Sequence, residues 1–232
     1  MLVLNKISEA DVAVPRSQAS SAYDIIRSAI LSGRHEQGKK LKIQDLAGEL
    51  EVSPGAVREA LSRMVPEQLV VSRDQRGFVV APLSVADLED LTDLRCEIEA
   101  IALRRSVVRG DVHWEAEVLA ASHRLRGLHI EEALLPASDE FLARWGRTHA
   151  AFHTALISAC DSRRLLALHA QLYEQSERYR VQSFFVEAKR DVDAEHQKIV
   201  DLALARDADG LVKAMSDHIH ETTRLIIANA HA

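Results

Sequence analysis

Aromatic residues make up 4% of the 232-residue chain, which leaves little of the large, rigid surface on which strands and sheet cores draw. Alanine, leucine, arginine and glutamate dominate instead, and that balance favours helices. Cysteine is limited to Cys96 and Cys160. Both lie in strongly helical segments without CxxC spacing, which argues against a disulfide framework or a thiolate zinc site and leaves two ordinary buried thiols. No stretch reaches the ~18 apolar residues that a membrane span requires. The opening MLVLNKISEADVAVPR also lacks the apolar core of a signal peptide. A cytoplasmic protein with no membrane partner is the expectation. Hydrophobic residues still reach 47%, enough for packed cores in one large domain or two modest ones.

Positive charge is also in deficit, with a formal net charge of −6 at pH 7. Spread evenly, that charge would discourage a nucleic-acid partner. It is not spread evenly. Through Pro82 the chain carries 11 Lys and Arg against 10 Asp and Glu, whereas the remainder carries 18 against 25. The asymmetry divides the chain into two parts.

Residues 1–20 show no sustained period and read as a mobile arm. From Ala22 the pattern turns helical: Tyr23, Ile26, Ile30 and Leu31 share a face, and Gly33 with Arg34 closes the element. After HEQGKK a short amphipathic segment places Leu46, Ala47 and Leu50 inward. Ser53 then precedes Pro54, a helix start in which serine accepts from free amides and proline occupies the first turn. The helix PGAVREALSRMV sets Val57, Leu61 and Met64 on one side and leaves Gly55, Arg58 and Ser62 on others. Two helices joined by a short turn form a helix-turn-helix, which lays its second helix in the major groove of DNA. The β-branched runs LVVS and FVVA, separated by RDQRG, predict a hairpin with Gly77 in a turn conformation other residues resist. Residues 21–82 therefore read as a winged helix.

The stretch from Tyr23 to Val80, above all AVREAL followed by a hairpin bearing RG, resembles the N-terminal domain of GntR-type bacterial transcription regulators. That resemblance implies that Gln44, Ser53, Gly55 and Arg58 face double-stranded operator DNA and that the wing tip, Arg76 and Gly77, enters the minor groove. Arg58 suits guanine or phosphate, and amides at a helix start suit phosphate. The chain departs from the family where Pro54 stands for a usual arginine and Ala56 for a usual proline, which puts the family's usual operator in doubt. Pro66 and Gln68 replace the usual turn into the wing, so the recognition helix should stop by about Val65.

Residues 83–232 read as helix after helix, an antiparallel bundle. Ser84 with Asp87 resembles a capping box, followed by the stripe Leu88, Leu91, Leu94, Ile98 and Ile101. Further helices are predicted at about 113–129, 139–160, 163–188, 191–205 and 207–229, with breaks at Pro136, Asp161–Ser162 and Asp207–Gly210. The fold class is thus mainly α. Ten of the eleven histidines fall in this part. In THAAFHTAL, His149 and His153 stand four apart, which sets both rings on one helix face. His196 and His218 occupy inward positions on two later helices. A bundle core brings such groups together, and neutral imidazoles bind borderline transition metals. His113, His123, His129, His169, His220 and His231 are assigned to the surface or to ordinary packing.

This part resembles the effector domain of the FadR subfamily in LRCEIEAIAL, HAAFHTALISA and AEHQKIVDLALARDADGLVKAMSDHI. The subfamily commonly holds a metal through an aspartate and a histidine four apart on one helix and a histidine on each of two later helices. The matching positions are His149, His153, His196 and His218, with His149 where aspartate is usual. An all-imidazole, uncharged site favours zinc, nickel or copper over hard ions. The resemblance also implies a small carboxylate effector near the metal. Arg95 suits it as an anion partner, although Arg95 and Glu99, at i and i+4, can equally form an intrahelical pair.

Three functions compete at this stage. The first is a ligand-responsive DNA-binding regulator, a repressor by preference and a homodimer, because one recognition helix reads a half-site of a palindrome. The second is a regulator for which the ion itself is the signal. The third is a metal-dependent hydrolase, which lacks a well-placed carboxylate base of the HExxH kind.

Overall fold

The computed structural model describes residues 17–73, 77–132, 139–180 and 190–230. The first helix, α1 (Gln18–Leu31), is capped by Ser17, whose hydroxyl accepts from the Ser20 amide. It therefore begins before Ala22, inside the expected arm. A two-residue strand β1 (Lys40–Leu41) follows, then α2 (Ile43–Glu49) and α3 (Pro54–Met64). Ser53 caps α3 by accepting from the Ala56 amide at 3.2 Å, and the helix ends at Met64, as the Val65–Pro66 sequence predicts.

Strands β2 (Val70–Arg73) and β3 (Gly77–Val80) form the expected antiparallel hairpin, with Arg73 opposite Gly77. Gly77 has φ +80°, a conformation with a steric penalty for any Cβ. The sheet holds a third strand that the sequence did not reveal: β1 pairs antiparallel with β3, Lys40 opposite Val79. Two residues carry no readable period, so the pairing with β3 alone defines this strand. Ile26, Ile30, Leu46, Val57, Leu61 and Met64 pack beneath the sheet with Val70 and Phe78. The core is apolar on every side and leaves the exposed faces of α2 and α3 free to carry polar side chains.

The second part contains α4 (Val85–Arg109), α5 (Val112–Glu132), α6 (Asp139–Ile157), α7 (Arg163–Arg180), α8 (Val192–Leu204) and α9 (Ala208–Ala230). A 3-10 turn, Ser158–Cys160, ends α6, and Asp161 takes a left-handed φ of +53° before α7. The predicted extension of α7 to residue 188 lies outside the described residues beyond Arg180. Leu103, Trp114, Trp145, Phe152, Ile199 and Leu211 anchor the main core.

Helix α4 corrects one expectation. Leu88 and Leu91 are buried, but Leu94 and Ile101 are 43% and 45% exposed. The inward face is instead built around Thr92, Arg95, Glu99 and Ser106. Polar groups bonded inside the bundle invert the apparent stripe, because hydrophobic periodicity assumes an apolar interior.

Candidate metal centre and nucleic-acid interface

Helix α6 presents His149 and His153, α8 presents His196 and α9 presents His218. All four are buried, and one nitrogen from each can be chosen so that all lie within 4.8 Å of one another. The Nε2 atoms of His149 and His153 are 3.3 Å apart. Tetrahedral zinc with Zn–N bonds of ~2.1 Å sets its nitrogens about 3.4 Å apart. Trp145 stacks on the His149 ring at 4.6 Å, and Phe152 lies 4.9 Å from His196.

The partners of these rings decide which nitrogens face inward. Burial tends to raise the Glu99 carboxyl, but Arg95 and then hydrogen bonds from His153 and His169 outweigh it and hold the group well below the usual range. An ionised carboxylate only accepts. The Nδ1–H of His153 therefore donates to Glu99 at 3.2 Å. Burial pushes His153 itself down to about 4, so its ring is neutral and its Nε2 carries a lone pair. His218 repeats the arrangement. Its Nδ1 lies 2.8 Å from Glu195, a carboxylate that burial tends to raise but that His218 and Arg190 bring down to about 2. Burial also lowers His218. Carboxylate–imidazole pairs of this kind fix the tautomer and orientation of metal-binding histidines.

His149 differs. Its Nδ1 meets the Tyr173 hydroxyl at 2.6 Å, and burial holds that phenol well above its ordinary value, hence protonated. A hydroxyl can donate or accept, so His149 can present either tautomer. Burial, then the charge of Arg180, keeps its ring neutral. His149, His153 and His218 thus form an uncharged nitrogen set whose outer nitrogens are oriented by Tyr173, Glu99 and Glu195, His196 adds its ring from α8, and these residues fit a borderline divalent ion.

Arg95 lies beside this centre. Its guanidinium donates to Ser176 at 2.9 Å, approaches Glu99 at 3.3 Å and covers the Tyr173 ring at 4.7 Å. The intrahelical pair weighed from the sequence is therefore present. Arg95 also lines a pocket of about 30 Å³ with His149, His153, His218 and Arg180, room for a water or an ion. Sequence reasoning missed Arg180, Tyr173, Glu195 and the role of His169, which is buried 3.5 Å from Glu99. Glu195 adjoins His196 in the sequence but bonds His218, 23 residues away, and Tyr173 reaches His149 from 24 residues away, so local spacing does not display either contact. His220 points elsewhere, as expected, toward Asp93 and Ser216 at the surface.

The second site lies on the winged helix. Gln44, Gly55, Arg58 and Gly77 line one open groove with Lys40, Lys42 and Pro54. Ser53 is at its margin, where its hydroxyl caps α3. Arg76 lies outside the described residues. The α3 start combines freed amides with an exposed arginine one turn on, an arrangement suited to phosphate and base edges. Lys40 and Lys42 were not singled out from the sequence, because β1 was not.

Helix α7 joins the two parts. Tyr173 and Ser176 face the histidine centre, while Gln175 donates to the Glu67 carbonyl at 2.9 Å and Arg178 donates to the carbonyls of Gln68 and Ala81 at 3.0 and 2.8 Å. Arg27 of α1 pairs with Glu67 and with Glu174 of α7.

Residues 18–80 match the model of bacterial regulatory proteins of the gntR family, and residues 90–221 match the FCD domain. The chain is a GntR-family regulator with an FCD domain. It is 38% identical to the HTH-type transcriptional regulator BphR of Paraburkholderia xenovorans, over 94% of this chain and 89% of that one. It is 33% identical to the HTH-type transcriptional repressor GlaR of Escherichia coli, over 85% and 90%. Among solved structures, Escherichia coli McbR/YncC shares the fold with a TM-score of 0.74 at 17% identity, covering 93% of this chain and all of that one. The regulator is therefore a DNA-binding transcription factor, like its relatives, and not an enzyme. Among the described residues no helix is long and apolar enough to cross a membrane.

Proposed function

We propose that this regulator is a homodimeric repressor whose FCD domain holds a divalent transition metal, zinc or nickel, and responds to a small carboxylate. Residues 21–82 act as the DNA-binding unit and 83–232 as the effector-binding and dimerisation unit. The observation that carries the metal reading is the buried imidazole set with Nδ1 atoms tied to Glu99, Tyr173 and Glu195. His149, His153, His196 and His218 hold the ion, which supplies a Lewis-acid site for a carboxylate oxygen. Arg95 and Arg180, both on the pocket wall, bind the remaining oxygens. Gln44, Ser53, Gly55 and Arg58, with Arg76 and Gly77 on the wing, contact a palindromic operator. Repression is the sense named for GlaR and for RspR of Escherichia coli.

A ligand shifts the arrangement of the DNA-binding units only if it binds one arrangement better. Helix α7 is the physical link, since Tyr173, Ser176 and Arg180 meet the ligand site while Gln175 and Arg178 grip the wing base. The size of the pocket favours a second reading in which the ion alone is the signal: about 30 Å³ accommodates an ion but not an organic acid without opening. Titration of metal-loaded and metal-stripped protein on its own promoter fragment separates the readings. Release by a carboxylate only from loaded protein supports the first, a change in DNA affinity on metal loading alone supports the second, and no response to either sinks both.

A further inference from the structure

Among the described residues no element covers the outward face of α4. Leu94, Ile101 and Val108 recur every seven residues along it, and they are 43%, 45% and 81% exposed. Glu97 and Arg105 are exposed beside them. Seven-residue spacing is the repeat by which one helix seats against another along a seam. Apart from the buried Arg95 and Glu99, the charges along this helix are sorted as well. Asp87, Glu89, Asp90, Asp93 and Glu97 lie in its first half, and Arg104, Arg105 and Arg109 lie at its end. A parallel pair of such helices sets like charges side by side, whereas an antiparallel pair sets acid against base.

We infer that the Leu94–Ile101–Val108 face of α4 is the seam between two copies of this chain, packed antiparallel about a two-fold axis at Ile101. This rests on the homodimer reading and names its surface. Around that axis Leu94 meets Val108 of the second copy, and Glu97 meets Arg105 of the second copy. Each contact occurs twice, as a two-fold interface requires. Arg104 and Arg109 are already engaged within one chain by Asp209 and Asp161, so Arg105 is the cation on which the pairing turns. The inner face of the same helix supplies Arg95 and Glu99 to the histidine centre. One helix thereby serves the seam and the site.

The test is sedimentation equilibrium of the full chain and its variants across a concentration series, with helicity checked by circular dichroism. The expected wild type is a dimer. Ile101→Glu should weaken dimerisation at least tenfold with helicity retained. Glu97→Arg and Arg105→Glu should each weaken it at low salt, and the double reversal should recover most of the loss, which a folding defect does not do. A dimeric wild type indifferent to all three substitutions sinks the α4 seam and leaves the homodimer standing. A monomeric wild type sinks both. Dimerisation lost only when residues 1–16 are deleted also overturns the seam and assigns the contact to that segment.

Discussion

The winged helix and the histidine centre differ in where their polar groups meet water. On the winged helix, Gln44, Gly55 and Arg58 are exposed on a frame whose core is apolar. Their chemistry is set by the partner they meet, and the frame tolerates their replacement. At the centre every imidazole is buried, with His153 fully inaccessible, and the outer nitrogens of His149, His153 and His218 meet side chains from other helices. Removing one group there leaves a neighbour unsatisfied in a poorly solvated interior. Surface sites separate function from stability, and buried polar sites join them.

The sharpest break between the two regions comes from deleting a ligand and a DNA contact in parallel. His196→Ala should reduce metal content from about one ion per chain to below a tenth by elemental analysis; full occupancy in that variant removes His196 from the centre. Arg58→Ala should lower operator affinity on the order of 10- to 100-fold in an electrophoretic shift, with the thermal midpoint unchanged. Unaltered operator binding sinks the recognition-helix assignment.

Smaller effects sharpen the same comparison. Glu99→Gln keeps the shape but removes the charge that orients His153, and should weaken metal binding about 10- to 100-fold; Tyr173→Phe should do less, because His149 has both tautomers open to it. Competition with a chromophoric chelator ranks the two, and an equal or reversed order contradicts the carboxylate–imidazole account. Arg178→Ala should leave metal and operator binding within a few-fold of wild type while reducing the response of DNA binding to metal or carboxylate. A full response in that variant removes α7 as the link.

The pH dependence follows from the buried rings. His153 is pushed down to about 4, while an unfolded histidine titrates near ~6.5. Between those values the unfolded chain binds more protons, so the metal-free protein is at full stability above about pH 6.5 and loses it as pH falls toward 4. His149 and His218 are lowered too and add to that loss. Denaturant midpoints at pH 7 and pH 5 measure it, and a midpoint that rises on acidification contradicts neutral buried imidazoles.

Much of this was legible in the sequence for a physical reason. Ser53–Pro54 marks the start of α3 because capping is local, and the β-branched runs mark the hairpin because strand pattern is local. His149 and His153 were legible as a pair because four residues make one helical turn. The residues that make the centre work were not. Glu99 lies 54 residues from His153, and Tyr173 lies 24 from His149; packing, with no local pattern, brings them together. The same limit explains α4, where Leu94 and Ile101 matched a core stripe and lie outside it, because Arg95 and Glu99 occupy the interior.

The central claim is that the four histidines form a metal centre with imidazole in place of the family's usual aspartate. Its most direct test is elemental analysis of untagged protein purified without added metal, beside His149→Asp. About one zinc or nickel per chain in the natural protein is the expected result. A natural protein that binds no metal even when supplied, while His149→Asp fills, would contradict the account and mean that His149 has closed the site.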